Sequence, residues 1–522
     1  MPEESPGSAA ASPTIVLRDN QAGEPPLLAA AGKTDSQPVA TTRGWKPPHR
    51  TDLGNSDLFA SVYQKELRYD HRRGKWLMWR GNWWSEDQKG EVWARAVKVV
   101  RLRAQLAPQI EDADARDKEW RWAIECESRA RLEAMLVLAQ KDPRLADSGA
   151  DWDGNPWLLG VANGVVDLRT GGLREGRPSD RITIHTAVPF EGRAQAPRFE
   201  QFLLEIFGGD LELIQYVQRA IGYSLTGDTS EQCFFVLHGE GANGKSTLLE
   251  VLREAAGEYG FNMPFSTVEL KARASIPNDM AALAGRRFVT SSETDPSAQI
   301  NEARMKTLTG QDKVTARFLH REFFTYRPVG KFWLASNYKP LVRDDSHGFW
   351  RRVRLIPFLN RFQDTGDPSD VGDRSGTPNA RVGGADKDLF RKLRSELPGI
   401  LAWAVRGCIE WQKRGLGVPP AIREATKSYR EEMDSLTEFL EECCILDPDG
   451  QVSAHDLWRE FAVWAKEKGE SLDRRTFSAR LQARGFQRVR AGHERTWTWL
   501  GLRLNSSAEY GPILAVDLGR AA

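Results

Sequence analysis

The chemistry-bearing residues of this chain concentrate in Phe234–Glu250, FFVLHGEGANGKSTLLE. Gly239-Glu240-Gly241-Ala242-Asn243-Gly244-Lys245-Ser246-Thr247 follows an apolar run and precedes an apolar helical pattern. This is the strand–loop–helix setting in which G-x-x-x-x-G-K-S binds phosphate. Glycines let backbone N–H groups curl inward with no Cβ in the way. The helix that follows adds free donors and a partial positive charge. Lys245 can reach the β- and γ-phosphates of ATP, and the Ser246 hydroxyl can ligate Mg²⁺. A glycine-rich turn with a chance Lys-Ser is the bland alternative, and the flanking elements argue against it.

Further residues fit the same chemistry. Gly285–Glu293, GRRFVTSSE, reads as a second strand ending in a carboxylate. Glu293 would hold Mg²⁺ through water and orient the attacking water, with Asp295 the weaker candidate. A third apolar strand, Val329–Ser336, ends at Asn337, whose amide could sense the γ-phosphate. From 313 to 361 there are eleven Lys and Arg against three acids, an electrostatic footprint for a polyanion.

Several elements must position these groups. A helix over Ser246–Ala256 follows the loop. Val314–Leu319 and Glu322–Tyr326 predict a hairpin around His320 and Arg321. Upstream, helices are predicted at Pro197–Phe207 and Leu211–Leu225, and strands at Val161–Leu168 and Ile182–Val188 with turns at Asn163-Gly164 and Gly171-Gly172. Residues 89–147 read as helical. Leu67–Asp87 predicts two or three short strands. Its Trp76, Trp79, Trp83 and Trp84 form either a stacking platform for single-stranded nucleic acid or the core of a small β unit, the latter being the expectation. Asp112 and Asp114 form a D-x-D, but their charged surroundings predict a solvated helix junction rather than a two-metal polymerase site.

Downstream, Leu389–Arg414 and Glu424–Cys444 each predict a helix. Residues 450–503 predict two helices and two strands in a winged-helix-like order. Eight arginines face one acid from Arg474 to Arg503. Arg474, Arg475, Arg480 and Arg484 sit on the second helix, the usual major-groove reader of such a fold; a wing that docks on the ring or on a partner is the competing reading.

Length and composition set the bounds. The chain has 522 residues and a net charge of +1, so about three domains are expected and global charge names no partner. Five cysteines lack C-x-x-C spacing, which argues against a zinc ribbon or a disulfide framework. With no spanning apolar run and no signal-like start, a cytoplasmic protein without membrane contact is expected. The expected divisions are a disordered tail at 1–50, a Trp-rich α+β region at 51–150, a preceding domain at 151–230 and the phosphate-loop core at 231–362. After them come a flexible loop at 363–386, a helical part at 387–445, the winged-helix-like domain at 446–505 and a tail at 506–522.

Gly239–Thr247, SSET at Ser291–Thr294, KTLTGQDKVTAR at Lys306–Arg317, LASNYKP at Leu334–Pro340 and GFWRRVRLIPF at Gly348–Phe358 resemble the ordered motifs of superfamily 3 helicases. The set is most similar to the phage/plasmid primase-helicase group, which includes the poxvirus-type helicase-primase. Trp157–Gly171 and Ile221–Gln232 resemble the domain that precedes the helicase there. The resemblance spans roughly residues 57 to 500. It implies an α/β fold with an AAA+ core, a mixed α+β N-terminal region and a C-terminal winged-helix-like domain.

The resemblance also implies an ATP hydrolase and DNA helicase, assembled as a ring, usually a hexamer, on single-stranded and forked DNA. Residues 239–247 would bind ATP, with Ser246 and Glu293 at Mg²⁺. Lys245, Glu293 and the sensor Asn337 would serve hydrolysis. Arg351 or Arg352 would reach the neighbouring subunit's ATP as an arginine finger. Lys313, Arg317, His320 and Arg321 would grip the DNA backbone. Members often carry an N-terminal primase-polymerase domain for which this chain shows no counterpart. Priming is therefore not expected, and a separate primase is an expected partner. The alternatives are a primase-helicase with priming activity and a replication initiator or loader whose ATPase only switches assembly.

Overall fold

In a computed structural model, the described residues are 46–270, 278–293, 295, 298–317, 322–344, 346–362, 386–468, 474–491 and 496–505. Nearly all of the expected N-terminal tail, residues 363–385 of the expected loop, the C-terminal tail at 506–522, and His320 and Arg321 lie outside them.

The first unit contains α1 (Asp52–Tyr63), β1 (Leu67–Asp70), β2 (Lys75–Trp79), β3 (Trp84–Glu86), α2 (Glu91–Leu106), α3 (Ala113–Glu125), α4 (Arg129–Ala139) and β4 (Ala146–Asp147). Its sheet order is β3-β2-β1-β4. Phe59, Val92, Val99, Leu132 and Met135 form its core. Trp84 is buried and Trp76 packs on Phe59, as the core reading expects, and half-buried Trp83 packs on a separate buried cluster of Leu158, Val165 and Ile182. Asp112 caps α3 by accepting from the Ala115 N–H, and Asp114 pairs with Lys118 on the surface. The D-x-D is thus a helix junction.

The second unit has β5 (Leu158–Val161), β6 (Gly164–Asp167), β7 (Gly172–Arg174), α5 (Pro197–Ile206) and α6 (Leu211–Ser224). The turn at Asn163 divides the strand expected over Val161–Leu168 between β5 and β6. Ile182–Val188 is not a strand. Its backbone donors are taken by side chains: Asp153 accepts from Thr183 and Ile184 at 2.6 and 3.1 Å, and Glu258 accepts from His185 at 3.0 Å. A single parallel bridge, Gly160 to His185, remains.

The core comprises β8 (Phe234–His238), α7 (Lys245–Ala256), β9 (Gly260–Asn262), α8 (Asn278–Ala282), β10 (Phe288–Glu293) and α9 (Glu302–Thr309). It continues with β11 (Val314–Ala316), β12 (Phe324–Tyr326), β13 (Lys331–Ser336), α10 (His347–Trp350) and β14 (Val353–Pro357). Five strands form a parallel sheet in the order β14-β8-β13-β10-β9. Both faces are covered, so β8 is apolar throughout its first four residues. Alternation divides its side chains. Phe235 and Leu237 join a cluster with α5, α6, α7 and α12 (Leu397–Arg414), while Phe234 and Val236 join one with α9, α10 and Tyr429.

The remaining elements are α11 (Leu389–Arg394), α12, α13 (Pro420–Glu432), α14 (Ser435–Cys443), β15 (Cys444–Ser453), α15 (Ala454–Glu467), α16 (Arg474–Ala483), β16 (Gln487–Ala491) and β17 (Thr496–Leu504). The single helix expected over Glu424–Cys444 breaks at Met433-Asp434. There the Asp434 carbonyl accepts from the Thr437 N–H at 2.9 Å, and its carboxylate bonds the Thr437 hydroxyl and Arg484. A short polar side chain that bonds the next turn favours a helix start over a helix interior. The sheet β15-β17-β16 closes the C-terminal unit over Phe439, Phe461, Phe477 and Trp499.

α6 and α12 cross almost without side chains between them. A Cβ on Gly222 would stand 2.0 Å from the Cys408 nitrogen, and one on Gly407 would stand 2.1 Å from the Gln218 carbonyl oxygen. Glycine at both positions lets the helix before the central sheet lie against the helix after it. Gly222→Ala should lower the thermal unfolding midpoint, with a loss of at least about 1–3 kcal/mol from overpacking. An unchanged midpoint would show that the crossing can spread without cost.

Candidate active site

The loop between β8 and α7 is shaped by backbone that tolerates no substituent at two places. A Cβ on Gly239 would meet the Phe358 carbonyl oxygen at 2.2 Å, and one on Gly244 would meet Ile206 of α5 at 2.6 Å. Gly244 also has φ +83°, and Ala242 a φ of +57°. Gly244 offers no side-chain cap to α7, whose first N–H, that of Lys245, donates to Asn243 Oδ1 at 3.5 Å. Residues 358–362 brace the loop from outside: Phe358 donates its N–H to the His238 carbonyl at 2.7 Å, and Phe362 donates to Ala242 at 2.8 Å. Nothing in the sequence motif announces this support; only the proximity of the β14 end to β8 reveals it.

Lys245 is 5 % exposed. Its ammonium donates to the carbonyl of Gly239, to Asn243 Oδ1 at 3.0 Å, to Asn337 Oδ1 at 3.1 Å and to the Glu240 carbonyl at 3.3 Å. Among the described residues every partner is a neutral oxygen. Burial therefore depresses the ammonium to a pKa of about 8. His238, at the end of β8, is also pushed down by burial, then by Lys339 and Lys245. Ser246 is exposed on the first turn of α7, with Thr247 beside it.

Parallel register aligns the strand ends. His238 pairs with Ser336, and Ser336 pairs with Glu293. The backbone of Glu293 therefore lies two strands from the loop at the same edge, where ligands of parallel sheets bind. Its side chain lies outside the described residues. Asp295 is exposed beyond it.

The structure thus brings Lys245, Asn337, Ser246 and the Glu293 backbone to one edge, and it does not bring Arg351 or Arg352 there. Phe234, which opens β8, donates its N–H to the Arg352 carbonyl at 2.9 Å. Both arginines therefore sit at the opposite edge, about 16 Å away by the rise of a five-residue strand. Arg351 is exposed and donates to Gln232 Oε1 at 2.6 Å. Arg352 donates to the Gly348 carbonyl.

The expected nucleic-acid residues divide as well. Lys313 and Arg317 are exposed at the β11–β12 hairpin, with the Arg317 guanidinium 4.7 Å from the Phe323 ring centroid. Arg474 and Arg475 are exposed at the start of α16. Arg480 and Arg484 differ from the expectation. Arg480 is buried and donates to the Arg343 carbonyl at 2.6 Å, and Arg484 pairs with Asp434. The spacing of Phe477, Arg480, Leu481 and Arg484 puts all four on one helix face, which Phe477 and Leu481 bury. Arg480 ties α16 to residue 343 of the central domain, and Arg484 ties it to the start of α14.

A profile described as "D5 N terminal like" matches residues 56–208, and one described as a family of unknown function (DUF5906) matches 237–352. "Putative helicase L207/L206" of Acanthamoeba polyphaga mimivirus is 30% identical over 322 residues, covering 60% of this chain and 33% of that protein. "Putative helicase 022R" of Frog virus 3 is 25% identical, covering 60% and 39%. The chain is similar in these stretches to D5-like viral proteins named putative helicase or putative primase. "Putative primase C962R" of African swine fever virus (strain Badajoz 1971 Vero-adapted) is 25% identical over 60% of the chain. The matches span about a third of the length of these relatives. Among solved structures, the apo NrS-1 C-terminal region aligns over 86% of this chain and 99% of its own, at 11% identity and a TM-score of 0.45. Among the described residues no helix is long and apolar enough to cross a membrane, and no group of three or more His, Cys, Asp or Glu is placed to hold a metal.

The depressed lysine has a consequence for any phosphate ligand. A polyphosphate restores the charged form and raises the pKa of Lys245 above about 8. Affinity should be level below that pH and should fall as pH rises through it, with proton uptake on binding at the higher pH. Calorimetry of ATP binding in buffers of different ionisation enthalpy measures this. Affinity and proton uptake that do not change with pH would show that Lys245 is not the group in contact.

Proposed function

We propose that this chain is the motor of a phage, prophage or plasmid replication system: an ATP-dependent DNA helicase acting as a ring, with a hexamer as the expected form. The observation that carries this reading is the buried Lys245 ammonium, held by Asn337 and loop carbonyls at the carboxyl edge of a parallel sheet. The Gly239 and Gly244 cradle, which a Cβ would fill, suits phosphate. The sheet supports an AAA+ assignment. The C-terminal three-stranded sheet with its helices supports a winged-helix-like domain, with Arg474 and Arg475 as its outward cations.

In this reading Lys245 and the N–H groups of the α7 start bind the β- and γ-phosphates of ATP. Ser246 and Glu293 would hold Mg²⁺, which would supply charge neutralisation. Asn337, already bonded to Lys245, reports the γ-phosphate to β13. Arg351 or Arg352, remote from its own loop, serves the neighbouring subunit's ATP, so hydrolysis depends on assembly. Lys313 and Arg317 contact DNA phosphates, which carry no sequence information. Asp112 and Asp114 serve structure, so they support no priming site, and a separate primase is the proposed partner.

Unwinding of a forked duplex with ATP and Mg²⁺, run beside Lys245→Ala, tests the proposal. Wild type should unwind and the variant should not, with hydrolysis reduced by at least about a hundredfold, as for loss of a principal charge-stabilising donor. DNA-stimulated hydrolysis without unwinding on either fork polarity would favour an initiator or loader instead.

A further inference from the structure

The four clustered tryptophans do not share one environment. Trp84 is core, and the preceding residue in the extended segment points the other way. Trp83 lies half-buried at a cleft of about 540 Å³ between the first unit, the segment 183–185 and the central sheet. That volume falls in the range of small-molecule sites. Trp83 stacks on His185, with ring centroids 4.0 Å apart and planes at 15°. Glu258 accepts from the His185 backbone N–H at 3.0 Å, and its carboxylate lies 3.1 Å from Nδ1. The aromatic pair is therefore a rigid floor built from two units.

Apart from Ile184, the rest of the lining is polar and includes the carboxylate of Glu86. Arg80 is paired with Glu91, and Glu258 with His185. Lys89 is exposed, and Arg286 stands beside Glu258 through its carbonyl. These two cations suit a phosphate, and Gln88 offers both a donor and an acceptor to a base edge. The cleft also continues toward the hairpin. Arg73 lines it, while its neighbour Arg72 donates to the Thr325 carbonyl at 3.2 Å and lies over the Phe324 ring at 5.6 Å.

We propose that this cleft holds an unpaired nucleotide of single-stranded DNA, its base laid against Trp83 and its phosphate between Lys89 and Arg286. The inference rests on the DNA-motor reading, in which the hairpin grips the strand. A strand leaving the hairpin passes the Arg72-Arg73 turn and reaches the cleft. Stacking on an aromatic floor tolerates any base, as a motor requires.

The test uses the full chain, fluorescein-labelled oligothymidylate and anisotropy. Trp83→Ala should weaken binding roughly 5- to 100-fold. Lys89→Glu, a surface change that leaves the aromatic floor in place, should weaken binding and lower the salt slope by about one or more. An oligonucleotide carrying 5-iododeoxyuridine should crosslink to Trp83 or His185. Unchanged affinity for Lys89→Glu, or crosslinks confined to the hairpin, would overturn the proposal. Weakening by Lys313→Glu without weakening by Trp83→Ala would overturn it and leave the motor reading standing. Absence of single-strand binding by wild type would overturn both. Displacement of the crosslink by thymidine monophosphate but not by unlabelled oligothymidylate would overturn the strand assignment in favour of a free nucleotide.

Discussion

The fold buries the ammonium of Lys245 among neutral oxygens, and the rest of the site is arranged around that charge. Two other buried cations show what a permanent solution looks like. Arg287 donates to the carbonyls of Leu158 and Leu225 at 2.9 Å each and lies 4.5 Å from the Tyr259 ring centroid. Lys331 is held by the carbonyls of Thr226, Val329 and Asp228, over Tyr223. Both sit at the start of a core strand and staple the sheet to the second unit. Lys245 has the same kind of partners, but they belong to a loop and to a strand tip. A buried cation without an anion is unfavourable, and an arriving phosphate relieves it. In the proposed function, this unfavourable burial adds to the affinity for a phosphate.

The sheet turns this local property into an architectural one. Its parallel order gives the domain two unlike edges. The carboxyl edge gathers Lys245, Asn337 and the end of β10, and α5 and residues 358–362 brace the loop from either side. The amino edge holds Arg351 and Arg352 beside the start of β8. No rotamer of an arginine spans the strand between them. In the proposed motor, a site that uses both groups is completed by a second subunit.

Much of this was legible in the residues. The glycine-rich loop, its strand and helix, the helices of the first two units and the Asn337 strand tip all stand where periodicity and punctuation place them. The failures share a cause, which is the replacement of local rules by side-chain bonds from distant residues. Ile182–Val188 has the pattern of a strand, but Asp153 and Glu258 take its donors. Glu424–Cys444 has the pattern of one helix, but Asp434 bonds the next turn and Arg484. Charge counting marked Arg480 and Arg484 as outward. Their spacing from Phe477 and Leu481 already placed them on the buried face, and that signal was available.

The central claim is that one subunit supplies the phosphate loop and another supplies the arginine. The direct measurement is ATP hydrolysis by mixtures of two inactive variants, Lys245→Ala and Arg351→Ala with Arg352→Ala. Each alone should be silent, and mixing should restore activity at the interfaces where an intact loop meets an intact arginine pair. Silence of the mixture, despite co-assembly shown by sedimentation, would contradict the account, as would full activity of the arginine variant alone.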